Sequence, residues 1–153
     1  MKQRGFESVK HEMKKYKENI KLPMRGSKNS AGYDFYSPCN IIIEPHCTTS
    51  IIPTDVKAYM QDDEVLLLFI RSSIGIKKGL TLSNGTGVID SDYYNNPDND
   101  GNIGISLRNE TDEIVAIKKG ERIMQGVFIK YLVADNDNTT TERNGGFGST
   151  GVK

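Results

Sequence analysis

"GNIGISLRNE", residues 101–110, is the stretch that decides the fold class. Ile103, Ile105 and Leu107 alternate with small or polar residues, the period of a strand with one buried face. The same reading extends in both directions. "NIIIEP" (40–45), "TSIIPTDVKAYM" (49–60), "DEVLLLFIRSS" (63–73) and "GLTLSNGTGVID" (79–90) precede it, and "EIVAIKKGERIMQGVFIKYLVA" (113–134) follows. All are rich in Ile and Val and bounded by Gly, Pro, Asn or Asp. Many short strands at close spacing predict an all-β chain, a β-sandwich or barrel, over an alternating α/β arrangement.

The chain has 153 residues, enough for one domain with a substantial core. Three regions are expected: a basic lead-in over 1–28, a β domain over 29–133, and a linker with a glycine-rich tail over 134–153. The lead-in holds nine Lys/Arg against three Asp/Glu, yet the whole chain balances at 20 of each. "KHEMKKYKEN" lacks the interleaved aromatics of a single-strand binder, so no nucleic-acid partner is expected. Val9, Met13, Tyr16 and Ile20 follow a 4-3-4 spacing, which predicts a short helix before Pro23. "VLLLFI" (65–70) falls far short of the ~20 residues that span a bilayer, so a soluble, cytoplasmic protein with no membrane partner is expected. Cys39 and Cys47 have neither disulfide-framework nor zinc spacing, and His46 beside Cys47 has only His11 as a further imidazole.

Five stretches carry residues that strands and turns do not need. In "AGYDFYS", Asp34 sits between aromatics. In "RSSIGIKKGL", Arg71, Ser72 and Ser73 leave an apolar strand together, a cation with two hydroxyls suited to phosphate. "SNGTGVIDSDYY" sets Asn84-Gly85, read as a hairpin-like turn, ahead of Asp90, Asp92 and Tyr93. "GERIMQG" places Arg122 and Gln125 three apart in an apolar strand. In "RNGGFGSTGVK", Gly145, Gly146 and Gly148 let backbone N–H groups close on an anion, Ser149 and Thr150 add hydroxyls, and Phe147 can cover a flat ring. A tail so rich in glycine is expected to be mobile until something binds it. "YYNNPDNDGN" (93–102) reads as an exposed turn excursion between strands.

Singly, each stretch has a structural role open to it: Asp34 capping a turn, Arg71 pairing with Asp34 or Asp90, Gln125 satisfying a backbone group. Together they supply an acid able to act as base, several phosphate donors and two aromatics, without a Cys–His or Ser–His nucleophile. That inventory suits water attacking a phosphoanhydride.

In order and content, "AGYDFYS", "RSSIG", "NGTGVIDSDYY", "GERIMQ" and "GGFGSTG" resemble the five motifs of the trimeric dUTPase family, over about residues 22–151. The resemblance implies a jelly-roll β subunit, a threefold homotrimer with active sites shared between chains, a flexible C-terminal arm, and hydrolysis of dUTP to dUMP and pyrophosphate with Mg²⁺. Such an enzyme limits uracil in DNA and supplies dUMP for thymidylate synthesis. Carried onto this sequence, Asp90 activates the water that attacks the α-phosphorus and Tyr93 packs against the deoxyribose. Asn84 and the backbone of Gly87, Val88 and Ile89 meet the uracil edge. Arg71, Ser72, Ser73 and Gln125 take the α- and β-phosphates, and Asp34 holds a water of the Mg²⁺ shell. In the arm, Arg143, Gly148, Ser149 and Thr150 close on the terminal phosphates while Phe147 stacks on uracil. The chain departs from the family's usual pattern at Asn95, where glycine is common, and in the longer excursion that follows.

Two other readings stand beside this one. A dCTP deaminase resembles the family in fold and carries an "RSS" stretch, but its chemistry needs a glutamate near the pyrimidine where this chain has "DSDYY". A regulatory binding protein would use the same assembly with residues 95–102 as its partner surface.

Overall fold

The structure, a computed structural model, describes residues 1–148, Thr150 and Gly151. Ser149 lies outside the described residues. The chain is predominantly β, as the alternation around Ile105 predicts. Its strands are β1 (Gly5–Ser8), β2 (Met24–Arg25), β3 (Tyr33–Tyr36), β4 (Ile41–Ile43), β5 (Ile52–Pro53), β6 (Val56–Tyr59) and β7 (Glu64–Ile70). They continue as β8 (Leu80–Leu82), β9 (Gly87–Asp90), β10 (Gly104–Ile105), β11 (Leu107–Asn109), β12 (Val115–Ile117) and β13 (Arg122–Lys130). One antiparallel sheet has the order β2-β3-β13-β7-β9, and the remaining strands pair as β1-β6, β10-β5, β11-β8 and β12-β4. Among the described residues no helix is long and apolar enough to cross a membrane.

Alternation explains the core. Ile103, Ile105 and Leu107 are each at most 1% exposed, and they meet Phe35, Leu66, Leu80, Ile117, Ile123 and Met124. Burying each such side chain stabilises the fold by about 1.5–3 kcal/mol. The extended segment changes partner at Ser106: Ile105 pairs with Ile52 and Leu107 with Leu82. That switch ties the small sheets into one body.

Two sequence expectations change here. The predicted N-terminal helix is absent; β1 pairs with β6, and only a single 3₁₀ turn, His11–Met13, follows. Val9 alone of the four spaced residues is fully buried, while Phe6 enters an aromatic group with Tyr33, Phe35 and Phe128 at centroid distances of 5.4, 5.5 and 5.3 Å. Phe6 itself lies in β1, ahead of the predicted helical span. The buried carboxylate of Asp55 instead accepts from the N–H groups of Lys15 and Tyr16, which fixes the segment in irregular form.

The excursion after Tyr93 is also not simply exposed. Asn96, Asp100 and Asn102 are buried. Asp100 accepts from Lys57 Nζ at 2.9 Å and from the Lys10 N–H at 2.8 Å. Burial pushes the Asp100 carboxyl up, but the Lys10 N–H and the Lys57 ammonium outweigh it and leave it below the usual range. Asn95 has φ +57°, the left-handed region that asparagine tolerates better than most residues.

Candidate active site

β9 is an edge strand, hydrogen-bonded to β7 on one side only. Its outward N–H and C=O groups therefore lie outside the sheet's hydrogen-bond ladder. At its end stands Asp90, and a 3₁₀ turn, Ser91–Tyr93, brings Tyr93 back under the strand. Asn84, Gly87, Val88, Ile89, Asp90 and Tyr93 line one cavity of about 300 Å³, and Arg143, Phe147, Gly148 and Thr150 of the tail close its other side. Sequence reasoning had singled out all ten. It missed Leu68, Leu82, Gly104, Ser106 and Met124, which complete the walls. Leu68, Leu82 and Met124 read as core, and Gly104 and Ser106 as the small residues between buried ones, so nothing local marks any of them as a pocket wall.

Asn84-Gly85 is not the centre of a hairpin. The Gly85 N–H donates to Leu82 O at 2.9 Å, and the flanking strands β8 and β9 pair with β11 and β7. The turn therefore carries the chain from one sheet to another, which leaves Asn84 exposed at the cavity mouth.

Tyr93 is 7% exposed, and burial pushes its phenol up. Its hydroxyl donates to Asn102 O at 2.7 Å and accepts from Asn99 Nδ2 at 2.8 Å. Gly146 lies against the ring, where a Cβ would come within 2.8 Å of Tyr93 Cε2. Glycine is required there for close approach. Arg143 bridges two carboxylates, donating from Nη2 to Asp90 Oδ2 and from Nε to Asp92 Oδ1, each at 2.7 Å. The tail thus rests on its own chain's cavity. Two acids side by side give the guanidinium a charge-assisted hydrogen bond each. Phe147, with φ +45°, remains 65% exposed at the rim.

The remaining predicted residues lie elsewhere. Asp34 Oδ1 faces Arg71 Nε at 3.1 Å and Asp34 Oδ2 faces Arg122 Nη1 at 3.4 Å. Gln125 pairs in register with Asp34, and its side chain occupies the space above Gly32, where a Cβ would meet Oε1 at 2.4 Å. Arg71, Ser73, Lys77, Lys78 and Arg122 line a groove of about 420 Å³ whose acid is Glu121. This is a cationic groove suited to an anion. Ser72 is exposed beside it, at the start of a π-helical turn, Ser73–Lys77.

Sheet register measures the gap between the two groups. Asp34 aligns with Gln125 and Phe69, whereas Asp90 aligns with Val65. Three strand steps across and four residues along place the two aspartates roughly 20 Å apart. Within one chain, the cavity that holds Asp90 does not reach the groove that holds Arg71.

Divalent-ion chemistry has limited purchase on these residues. No cluster of three or more His, Cys, Asp or Glu exists among the described residues, and each Asp34 oxygen already faces a guanidinium. An ion held by three or more such side chains does not fit the described residues. One carried by phosphates and water, touching Asp34 through a water, does.

Comparison with known proteins identifies the family. The dUTPase family model matches residues 18–151. A deoxyuridine 5'-triphosphate nucleotidohydrolase of Lactococcus lactis subsp. lactis is 53% identical over 155 residues, covering 99% of this chain and 100% of that protein. The crystal structure of a dUTPase from Streptococcus mutans has a TM-score of 0.76 at 45% identity, covering 86% of this chain and 99% of that one. The Staphylococcus bacteriophage 80alpha dUTPase with dUpNHpp has a TM-score of 0.69 at 26% identity, covering 99% of this chain and 100% of that one. With a family model spanning most of its length and a full-length relative sharing more than half its residues, this chain belongs to the dUTPase family.

Proposed function

We propose that the protein hydrolyses dUTP to dUMP and pyrophosphate, in sites built where the Asp90 cavity of one copy meets the Arg71 groove of another. The observation that carries this reading is an edge strand ending in a carboxylate above a cavity of nucleoside size. Uracil pairs with the free backbone edge of Gly87 to Ile89 and with Asn84, where close contact leaves no space for the thymine methyl. The deoxyribose lies on Tyr93, whose ring occupies the space a 2'-hydroxyl would need.

Asp90 takes a proton from water as its oxygen attacks the α-phosphorus. The bond from that phosphorus to the bridging oxygen breaks, and pyrophosphate leaves. Arg71, Ser72, Ser73 and Gln125 of the second copy neutralise and position the α- and β-phosphates. Mg²⁺ bound to the triphosphate would screen its charge, and Asp34 would hold it through a water of its shell. Arg143 exchanges Asp90 and Asp92 for the terminal phosphates, which frees the base. Phe147 covers uracil, and Gly148, Ser149 and Thr150 close the arm over the phosphates.

The roughly 20 Å between Asp34 and Asp90 supports a site completed by another copy, since a triphosphate cannot place its α-phosphorus at Asp90 and its Mg²⁺ water at Asp34 of the same chain. A threefold homotrimer of jelly-roll subunits satisfies this requirement, because a closed ring gives every cavity one partner groove.

Pyrophosphate release measured side by side with dUTP, dCTP, dTTP and UTP in the presence of Mg²⁺ tests the assignment. Strong turnover is expected with dUTP alone. Comparable turnover of dTTP would remove the reading of the β9 edge, and turnover of dCTP to a deaminated product would point to the related deaminases.

A further inference from the structure

Asn96, Asp100, Gly101 and Asn102 are buried and Asn99 half-buried, although the composition of residues 95–102 reads as loop. Asn99 Oδ1 accepts from Asn96 Nδ2 at 2.8 Å and from the Gly101 N–H at 3.0 Å. A backbone N–H is unambiguously a donor, so the amide orientation of Asn99 is fixed and its Nδ2 faces the Tyr93 hydroxyl. The phenol accepts that bond and sends its own proton to Asn102 O. Asn102 is held in turn: its Oδ1 accepts from the Asp55 N–H and its Nδ2 donates to Asp55 Oδ1, each at 2.9 Å. The far end of the ring is thereby tied to the body of the protein. The arm closes on the same place, since a Cβ on Gly146 would lie 3.2 Å from Asn99 Nδ2.

We propose that Asn99 is a positioning residue that fixes the tilt of Tyr93 and so sharpens the choice of deoxyribose over ribose, with residues 95–102 acting as its brace. The inference rests on the reading that Tyr93 meets the sugar. A tyrosine held only at Cβ can rock about its side-chain torsions, and a shift of about 1 Å at the ring is enough to weaken a steric wall substantially. Two hydrogen bonds at the hydroxyl oppose that motion.

The test is the dUTP:UTP ratio of kcat/KM in Asn99→Ala, Asn99→Asp, Tyr93→Phe and the double variant Asn99→Ala/Tyr93→Phe. Asn99→Asp is close in shape and keeps an acceptor for Asn96 and Gly101, but it cannot donate to the phenol. It carries the test should Asn99→Ala disturb folding. Each single variant is expected to lower the ratio about three- to tenfold, the worth of a neutral hydrogen bond, with the change falling mainly on KM. The double variant should fall no further than Tyr93→Phe alone, because that substitution already removes the Asn99 contact together with the bond to Asn102 O. An unchanged ratio in Asn99→Asp at parental melting temperature overturns the proposal, as does an additive double variant, because either result places the role of Asn99 outside Tyr93. Tyr93→Ala separates the two levels. A collapsed ratio there with a parental ratio in Asn99→Asp removes the brace alone, and a parental ratio in Tyr93→Ala removes the sugar reading and the brace with it.

Discussion

Asp90→Asn is expected to lower kcat for dUTP by about 10²–10⁴ while leaving a non-hydrolysable dUTP analogue bound at close to parental affinity. The expectation follows from position and chemistry. Asp90 ends the edge strand proposed to meet the base, and its side chain is 49% exposed, so water reaches it. Asparagine keeps the shape and loses the ability to take a proton. Asp92 is the adjacent control: it shares Arg143 with Asp90 but does not line the cavity. Asp92→Asn is expected to change kcat far less. Pyrophosphate release gives kcat and calorimetry gives the affinity of the analogue. Turnover of Asp90→Asn within a few-fold of the parent would assign the base elsewhere.

The second large effect is a recovery. Asp90→Asn and Arg71→Ala should each form inactive assemblies, the first without its base and the second without a principal phosphate donor. Subunits mixed in equal amounts and allowed to exchange are expected to regain about a quarter of parental activity, because one neighbouring pair in four joins an intact Asp90 cavity to an intact Arg71 groove. Sites confined to one chain would regain none, since every chain in the mixture carries a lesion. The large distance between Asp34 and Asp90 is what separates these outcomes. Exchange is verified by co-purification of differently tagged subunits, and its presence without recovered activity would contradict the shared site.

Much of this was legible in the sequence because the signals were local. Ile103, Ile105 and Leu107 announce a one-sided strand by their spacing alone, and they are among the most buried residues of the protein. "GVIDSDYY" places an acid and an aromatic a few residues apart, and the fold brings both to one cavity. Other features depend on partners distant in sequence. Nothing near Val9 indicates that Phe6 is claimed by Tyr33, Phe35 and Phe128, so a helical spacing misled. "NNPDNDG" has the composition of an exposed loop, and only the distant Lys57 and Asp55 show that its polar groups are satisfied inside. Asn99 and Asn102 escaped notice for that reason. The separation of Asp34 from Asp90 is a matter of strand order and register, which motif order along the chain does not encode.

The central claim, water attack on the α-phosphorus of dUTP, is tested most directly by running the reaction in heavy-oxygen water and locating the label by mass spectrometry. Attack at the α-phosphorus places one labelled oxygen on the phosphate of dUMP and none on pyrophosphate. Label in pyrophosphate would mean attack at the β-phosphorus, and the placement of Asp90 as base for the α-phosphorus would be contradicted.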